Sequence, residues 1–166
     1  MIEEKKGPAP LHPETRSAQP PAVSPDVTGQ APFLIIEGRV VSGFGVAAEH
    51  LAPIAELIRE RTGLADLVPG TFNLRLGAPY RFEPDAVISA EEYGYEVLKL
   101  KRCCVAGLPA VILRPESHEA GNGHGDAHLE LLAAVHLRTT LGVTDGDLVD
   151  VITGPDLACW PANRQS

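Results

Sequence analysis

Strand-length runs dominate this chain and leave room for only two helices. Phe33 to Ser42, Pro69 to Leu76, Tyr93 to Val105, Ala110 to Arg114, His128 to Ala133 and Asp147 to Thr153 are β-branched or alternating in polarity. Most are stopped by glycine, proline or an Asp-Gly pair, as strands are. A further short strand falls within the loop-like Tyr80 to Ala90. Helical spacing is confined to Glu49 to Thr62, with Leu51, Ile54, Leu57 and Ile58 on one face, and to Val135 to Leu141. Gly63 stands where a left-handed cap belongs, the second helix ends at Gly142, and Pro53 falls near a helix start, where its missing N–H does no harm. Many strands and few helices predict a mainly β fold, a small barrel decorated by helices rather than a doubly wound sheet.

The 166 residues suit one domain with a proper core. Residues 1–32 hold seven of the 15 prolines and few large apolar residues. They are predicted to be a disordered tail, because too little apolar surface is available to offset chain entropy. The barrel domain then runs over 33–154, followed by a loose tail over 155–166 in which Trp160 is the residue able to dock. The N-terminal segment has no apolar run of a secretion signal, and no stretch approaches the roughly 20 apolar residues of a membrane helix. Net charge is −8, which argues against a nucleic-acid binder. Three cysteines, Cys103 and Cys104 adjacent, make neither a disulfide framework nor a zinc set. Both are assigned to packing, and a reducing cytoplasm is expected.

Two stretches carry chemistry. On the strand after Pro69-Gly70, Thr71, Asn73 and Arg75 share one face, since successive strand residues point to opposite sides. A hydroxyl, an amide oxygen and a fixed cation suit phosphate oxygens and a hard metal ion. Taken alone, the stretch is better read as an amphipathic strand with a polar outer face, and for Arg75 a solvated face is the better reading. Gly43-Phe44-Gly45-Val46-Ala47 links a strand to a helix, the arrangement in which main-chain N–H groups cradle phosphate. Gly-x-Gly alone is a weak signal, without the third glycine of a dinucleotide fingerprint or the lysine of a P-loop. Pro115 to Ala127 is polar and glycine-rich, a candidate lid. His118, His124, His128 and His136 are too dispersed for zinc and are read as solvated loop histidines.

In this order, the segments resemble the archaeal-type CTP-dependent riboflavin kinases over about residues 36 to 153. The resemblance is carried by Gly43-Phe44-Gly45-Val46-Ala47, by Gly70-Thr71-Phe72-Asn73-Leu74-Arg75-Leu76, and by Leu129-Glu130, Val135-His136-Leu137-Arg138 and Asp145-Gly146-Asp147. It implies a six-stranded cradle-loop barrel with two helices. It also implies an Mg2+-dependent kinase that converts riboflavin and CTP to FMN and CDP, without nucleic acid or membrane, as a monomer or weak homo-oligomer. Ser42 to Ala47 (Ser42, Gly43, Phe44, Gly45, Val46, Ala47) and Val135, His136, Leu137 and Arg138 would hold the nucleotide. Thr71 and Asn73 would hold magnesium, and Ser117 and Glu130 the flavin. Arg138 would stabilise charge, and Glu130 is the one carboxylate to nominate as a base. Val46 stands where the family usually has glutamate or lysine, His136 replaces asparagine and Ser117 replaces threonine. Those departures motivate an alternative, a non-catalytic flavin- or nucleotide-binding regulatory barrel.

Overall fold

A computed structural model describes residues 32–119 and 125–161. The predicted disordered tail, except Pro32, and His124 lie outside the described residues. Seven strands form, β1 (Leu34–Val41), β2 (Phe72–Leu76), β3 (Ala86–Ile88), β4 (Leu98–Val105), β5 (Leu108–Pro115), β6 (His128–Ala133) and β7 (Leu148–Thr153). All pair antiparallel. In the order β4-β5-β6-β2-β1-β7 they close on themselves through a β7–β4 seam, and β3 adds to the outside of β4. The six-stranded barrel expected from the sequence is therefore present. Its closing seam is short, with only Cys104 opposite Ile152 and Val105 opposite Val151.

Alternation explains the two layers of core. Ile36, Val40, Phe72, Leu74, Ile112, Leu129, Leu131 and Val151 fill the barrel. Val111, Leu113 and Leu132, one residue out of phase, join Leu51, Ile54, Ile58 and Leu100 in a second cluster under the helices. That is why β5 reads as an unbroken apolar run: both of its faces are covered.

The first helix differs from expectation. It starts at Ala47 as α1 (Ala47–Leu51), tightens to a 3₁₀ turn over Ala52–Ile54, and resumes as α2 (Ala55–Thr62). Pro53 falls inside that run, where its missing N–H removes one i→i−4 bond, and the tighter turn sits at that point. Gly63 closes it with φ 77°, as predicted. Three further short helices are α3 (Ala90–Tyr93), α4 (Glu116–Glu119) and α5 (Leu137–Leu141). The strand predicted from Tyr93 starts only at Leu98, because Ser89 and Glu92 form a reciprocal capping box that holds Tyr93 in α3. Residue 38 is no irregularity: Gly38 pairs with Leu76 and Val149, and it is glycine because a Cβ would lie 2.8 Å from that of Leu74.

Of the two cysteines assigned to packing, Cys103 keeps that role and Cys104 does not. Cys104 forms a disulfide with Cys159, with Cα atoms 6.0 Å apart, while Cys103 is free and buried in the barrel. The segment after Pro155 is consequently tied down as far as Pro161. Trp160 docks as expected, donating its indole N–H to Cys103 O at 2.9 Å, with the Arg102 guanidinium 5.2 Å from its ring centre. Cysteine usage thus gives no ground for a reducing compartment. Among the described residues no helix is long and apolar enough to cross a membrane.

Candidate functional site

The glycine loop after β1 separates two clefts. The first, about 400 Å³, is lined by Ser42, Gly43, Gly45 and Ala47 from the loop, by Pro69 to Asn73, and by Val135 to Thr139. All of the predicted nucleotide residues except Phe44 and Val46 line it, as do both predicted magnesium ligands. The second, about 230 Å³, is lined by Phe44, Val46, His50, Tyr93, Glu96 and Glu130, among others. Phe44 and Val46 thus turn their side chains away from the first cleft. The chain turns at Gly45, with φ 77°, and Val46 is already in the helical region, so one short segment serves both clefts and Ala47 borders each.

The clefts meet where β2 and β6 pair. Asn73 sits directly opposite Glu130, and Arg75 opposite His128. Cross-strand partners of this kind have Cβ atoms about 5 Å apart. The residue expected to face the phosphates and the carboxylate expected to face the acceptor are therefore neighbours across one ladder. No sequence spacing could reveal this, because 57 positions separate them.

Asn73 is 4% exposed. Its Nδ2 donates to Thr71 O at 3.1 Å and to Thr71 Oγ1 at 3.2 Å, while its Oδ1 lies 2.9 Å from His128 Nε2. A Cβ on Gly43 would come within 2.5 Å of Asn73 Nδ2, which explains the glycine there. Thr71 Oγ1 is a neutral, hard oxygen in the cleft, and Asn73 would add a second with its amide reversed, since its Oδ1 here faces His128. That donor set fits magnesium, which keeps several waters and leans on substrate phosphates. Among the described residues no group of three or more His, Cys, Asp or Glu forms a metal-binding cluster. His128 is buried rather than solvated, a correction to its sequence reading, and Arg75 is exposed and lines neither cleft.

Arg138 reaches the first cleft from α5. It donates to Asp145 Oδ1 at 2.7 Å and to Val41 O at 3.2 Å, and Ser42 Oγ donates to Asp145 Oδ2 at 2.7 Å. The Asp-Gly turn thereby ties α5 to the start of the glycine loop. The Ser42 hydroxyl, then Arg138, holds the Asp145 carboxyl below its usual range. His136 caps α5 without a side-chain bond and lines the first cleft, where the family's asparagine would be.

Glu96, which lines the second cleft, accepts from Ser117 N at 2.7 Å and from Ser117 Oγ at 3.1 Å, whereas Ser117, predicted to contact the flavin, does not itself line that cleft. Glu96, missed by the sequence reading, thus fixes the predicted flavin-contacting hydroxyl. Aromatic rings border the opening: His50 stacks on Tyr95, which lies 5.1 Å from Tyr93, and Phe44 is 79% exposed. Burial pushes the Glu130 carboxyl up to about 7. The folded state therefore binds this proton more tightly than the unfolded state, and stability is lost as pH rises from about 4.5 to about 7. Glu130→Gln removes that penalty, on the order of 3 kcal/mol by the size of the shift. Melting curves of Glu130→Gln should lie above wild type at pH 8 and coincide with it at pH 4; equal melting at pH 8 would show the carboxyl is not strained.

A closed antiparallel barrel with two adjoining clefts, divided by one glycine loop, is the architecture on which the site is built. The chain belongs to the CTP-dependent riboflavin kinase family: the family model, described as domain of unknown function DUF120, matches residues 40–152. Among curated relatives, riboflavin kinase of Pyrobaculum arsenaticum is 35% identical over 126 residues, covering 69% of this chain and 58% of the relative. Riboflavin kinase of Methanocella arvoryzae is 30% identical, covering 74% and 58%. That of Staphylothermus marinus is 26% identical, covering 70% and 89%. This chain spans a little over half the length of the first two relatives.

Proposed function

We propose that this chain is a riboflavin kinase domain that moves the γ-phosphoryl group of CTP to the 5′-hydroxyl of riboflavin, with magnesium. The observation that carries the reading is the Asn73–Glu130 pairing, which sets a phosphate-facing amide beside an acceptor-facing carboxyl. The family description and the relatives' names supply the substrates. Flavin is a flat heteroaromatic, and the second cleft offers the rings of Phe44, His50 and Tyr93 with the carboxyls of Glu96 and Glu130.

Phosphoryl transfer needs positioning and charge neutralisation more than covalent help from the protein. Main-chain N–H groups of Ser42 to Ala47 would hold phosphate oxygens, with Arg138 balancing charge. Magnesium, held by Thr71 and Asn73, would supply neutralisation of the phosphate charge. Glu130 would orient the ribityl hydroxyl and accept its proton as the oxygen bonds to phosphorus and CDP leaves. A carboxyl with its pKa near 7 is suited to both taking and releasing a proton at neutral pH.

The test is riboflavin phosphorylation with magnesium chloride and CTP, ATP, GTP or UTP in parallel, with FMN detected by chromatography. FMN formed mainly from CTP is expected; FMN from ATP would change the donor and keep the chemistry. The occupied Asn73 Oδ1 and His136 favour a second reading, a barrel that binds flavin without transfer. No FMN from any donor, with tight riboflavin binding by calorimetry, would establish it.

A further inference from the structure

We infer that His128 is a positioning residue for Asn73, setting which end of that amide faces Thr71. The inference rests on the kinase reading only for what the amide is used for. On the shared face of β2 and β6, His128 lies one step diagonal to Asn73, and it is 9% exposed. The amide is enclosed by His128 Nε2 at one end, by Thr71 O and Oγ1 at the other, and by Gly43 across its side. Such an enclosure leaves two orientations, related by a half-turn of the amide plane.

In the orientation present, Nδ2 faces Thr71, so the Nε2–H tautomer of His128 donates to Oδ1. In the reversed orientation, Oδ1 stands beside Thr71 Oγ1, the two oxygens together facing the cleft. Nδ2 then points at His128, which must present a bare Nε2 with its proton on Nδ1. Imidazole can do both, donating from Nε2 in one tautomer and accepting there in the other. A buried leucine could do neither, and a glutamine, itself an amide, could do both. His128 therefore keeps the far end of the amide paired in either orientation. Reversal takes the Nδ2 bond from Thr71 O and sets Oδ1 against that oxygen, a contact that favours the present orientation until a cation arrives. Histidine at this place makes the Thr71–Asn73 oxygen pair available when a cation and phosphates arrive.

The experiment is long-range 1H–15N spectroscopy of the His128 ring, with the Asn73 side-chain amide followed alongside. Spectra are taken on the full chain, alone and with magnesium chloride plus CTP. The expected result is an Nε2–H ring in the free protein and an Nδ1–H ring in the complex. His128→Leu should shift the Asn73 amide signals in the free protein and weaken magnesium-dependent CTP binding by about tenfold or more, with His128→Gln recovering most of it. An unchanged tautomer on binding, or Asn73 signals indifferent to His128→Leu, would overturn the inference. If wild type binds no CTP with magnesium, the kinase reading fails instead, and the Asn73 signals of the free proteins still decide the contact. Because the ring measurement uses wild type, a variant that does not fold leaves the inference exposed to refutation.

Discussion

Asn73→Ala is expected to lower turnover in FMN formation by about a hundredfold while leaving riboflavin affinity within about threefold of wild type. The split follows from the two clefts. Asn73 lines the first, with Thr71, and Glu130, the carboxyl proposed to meet the flavin, lines the second. Truncation also leaves His128 Nε2 without its amide partner, so a stability loss of about 1–3 kcal/mol should accompany the kinetic one. The two effects are separable, because turnover is measured well below the melting point and lost binding is read from the magnesium dependence. Thr71→Ala should act in the same direction. Turnover within a factor of two of wild type in both variants would remove the metal assignment. Loss of riboflavin binding in place of turnover would move these residues to the wrong substrate.

The second large effect concerns Cys104–Cys159. The bond closes a loop of 55 residues, for which chain-entropy reasoning gives about 4 kcal/mol. It also anchors the segment bearing Trp160, whose indole covers Cys103 O. Cys159→Ser should therefore lower the melting temperature by about 10 °C or more, in a chain of this size. Reductant should lower the wild-type midpoint by a similar amount and leave the variant unchanged. A variant that melts with wild type, both indifferent to reductant, would mean that the bond contributes nothing to the folded barrel.

Local patterns were legible in the sequence. The strand from His128 to Ala133, the helix ends at Gly63 and Gly142 and the docking of Trp160 all follow from spacing or residue type. One local signal was present and overlooked: Ser89-Ala90-Glu91-Glu92 is a capping box followed by Gly94, and it should have stopped the strand that alternation drew back to Tyr93. Pro53 misled for a different reason. Its effect depends on where the helix starts, and Ala47 is an earlier start than the apolar spacing suggested. The non-local facts were out of reach. An adjacent cysteine pair plus a distant third gives no pairing, and the ladder that sets His128 and Glu130 around Asn73 exists only once β2 and β6 meet.

The loop from Ser42 to Ala47 works as a partition wall, papered differently on each side. Its length is then far less negotiable than its composition. Exchanging Phe44 or Val46 edits the second cleft alone, exchanging Ser42 edits the first alone, and Ala47 borders both. Adding or deleting one residue would displace Gly45, whose φ of 77° makes the turn, and shift the start of α1 against both clefts at once. On the proposed assignment, redesign for a new flavin and redesign for a new nucleotide are thus separate projects within six residues, provided nobody changes the count.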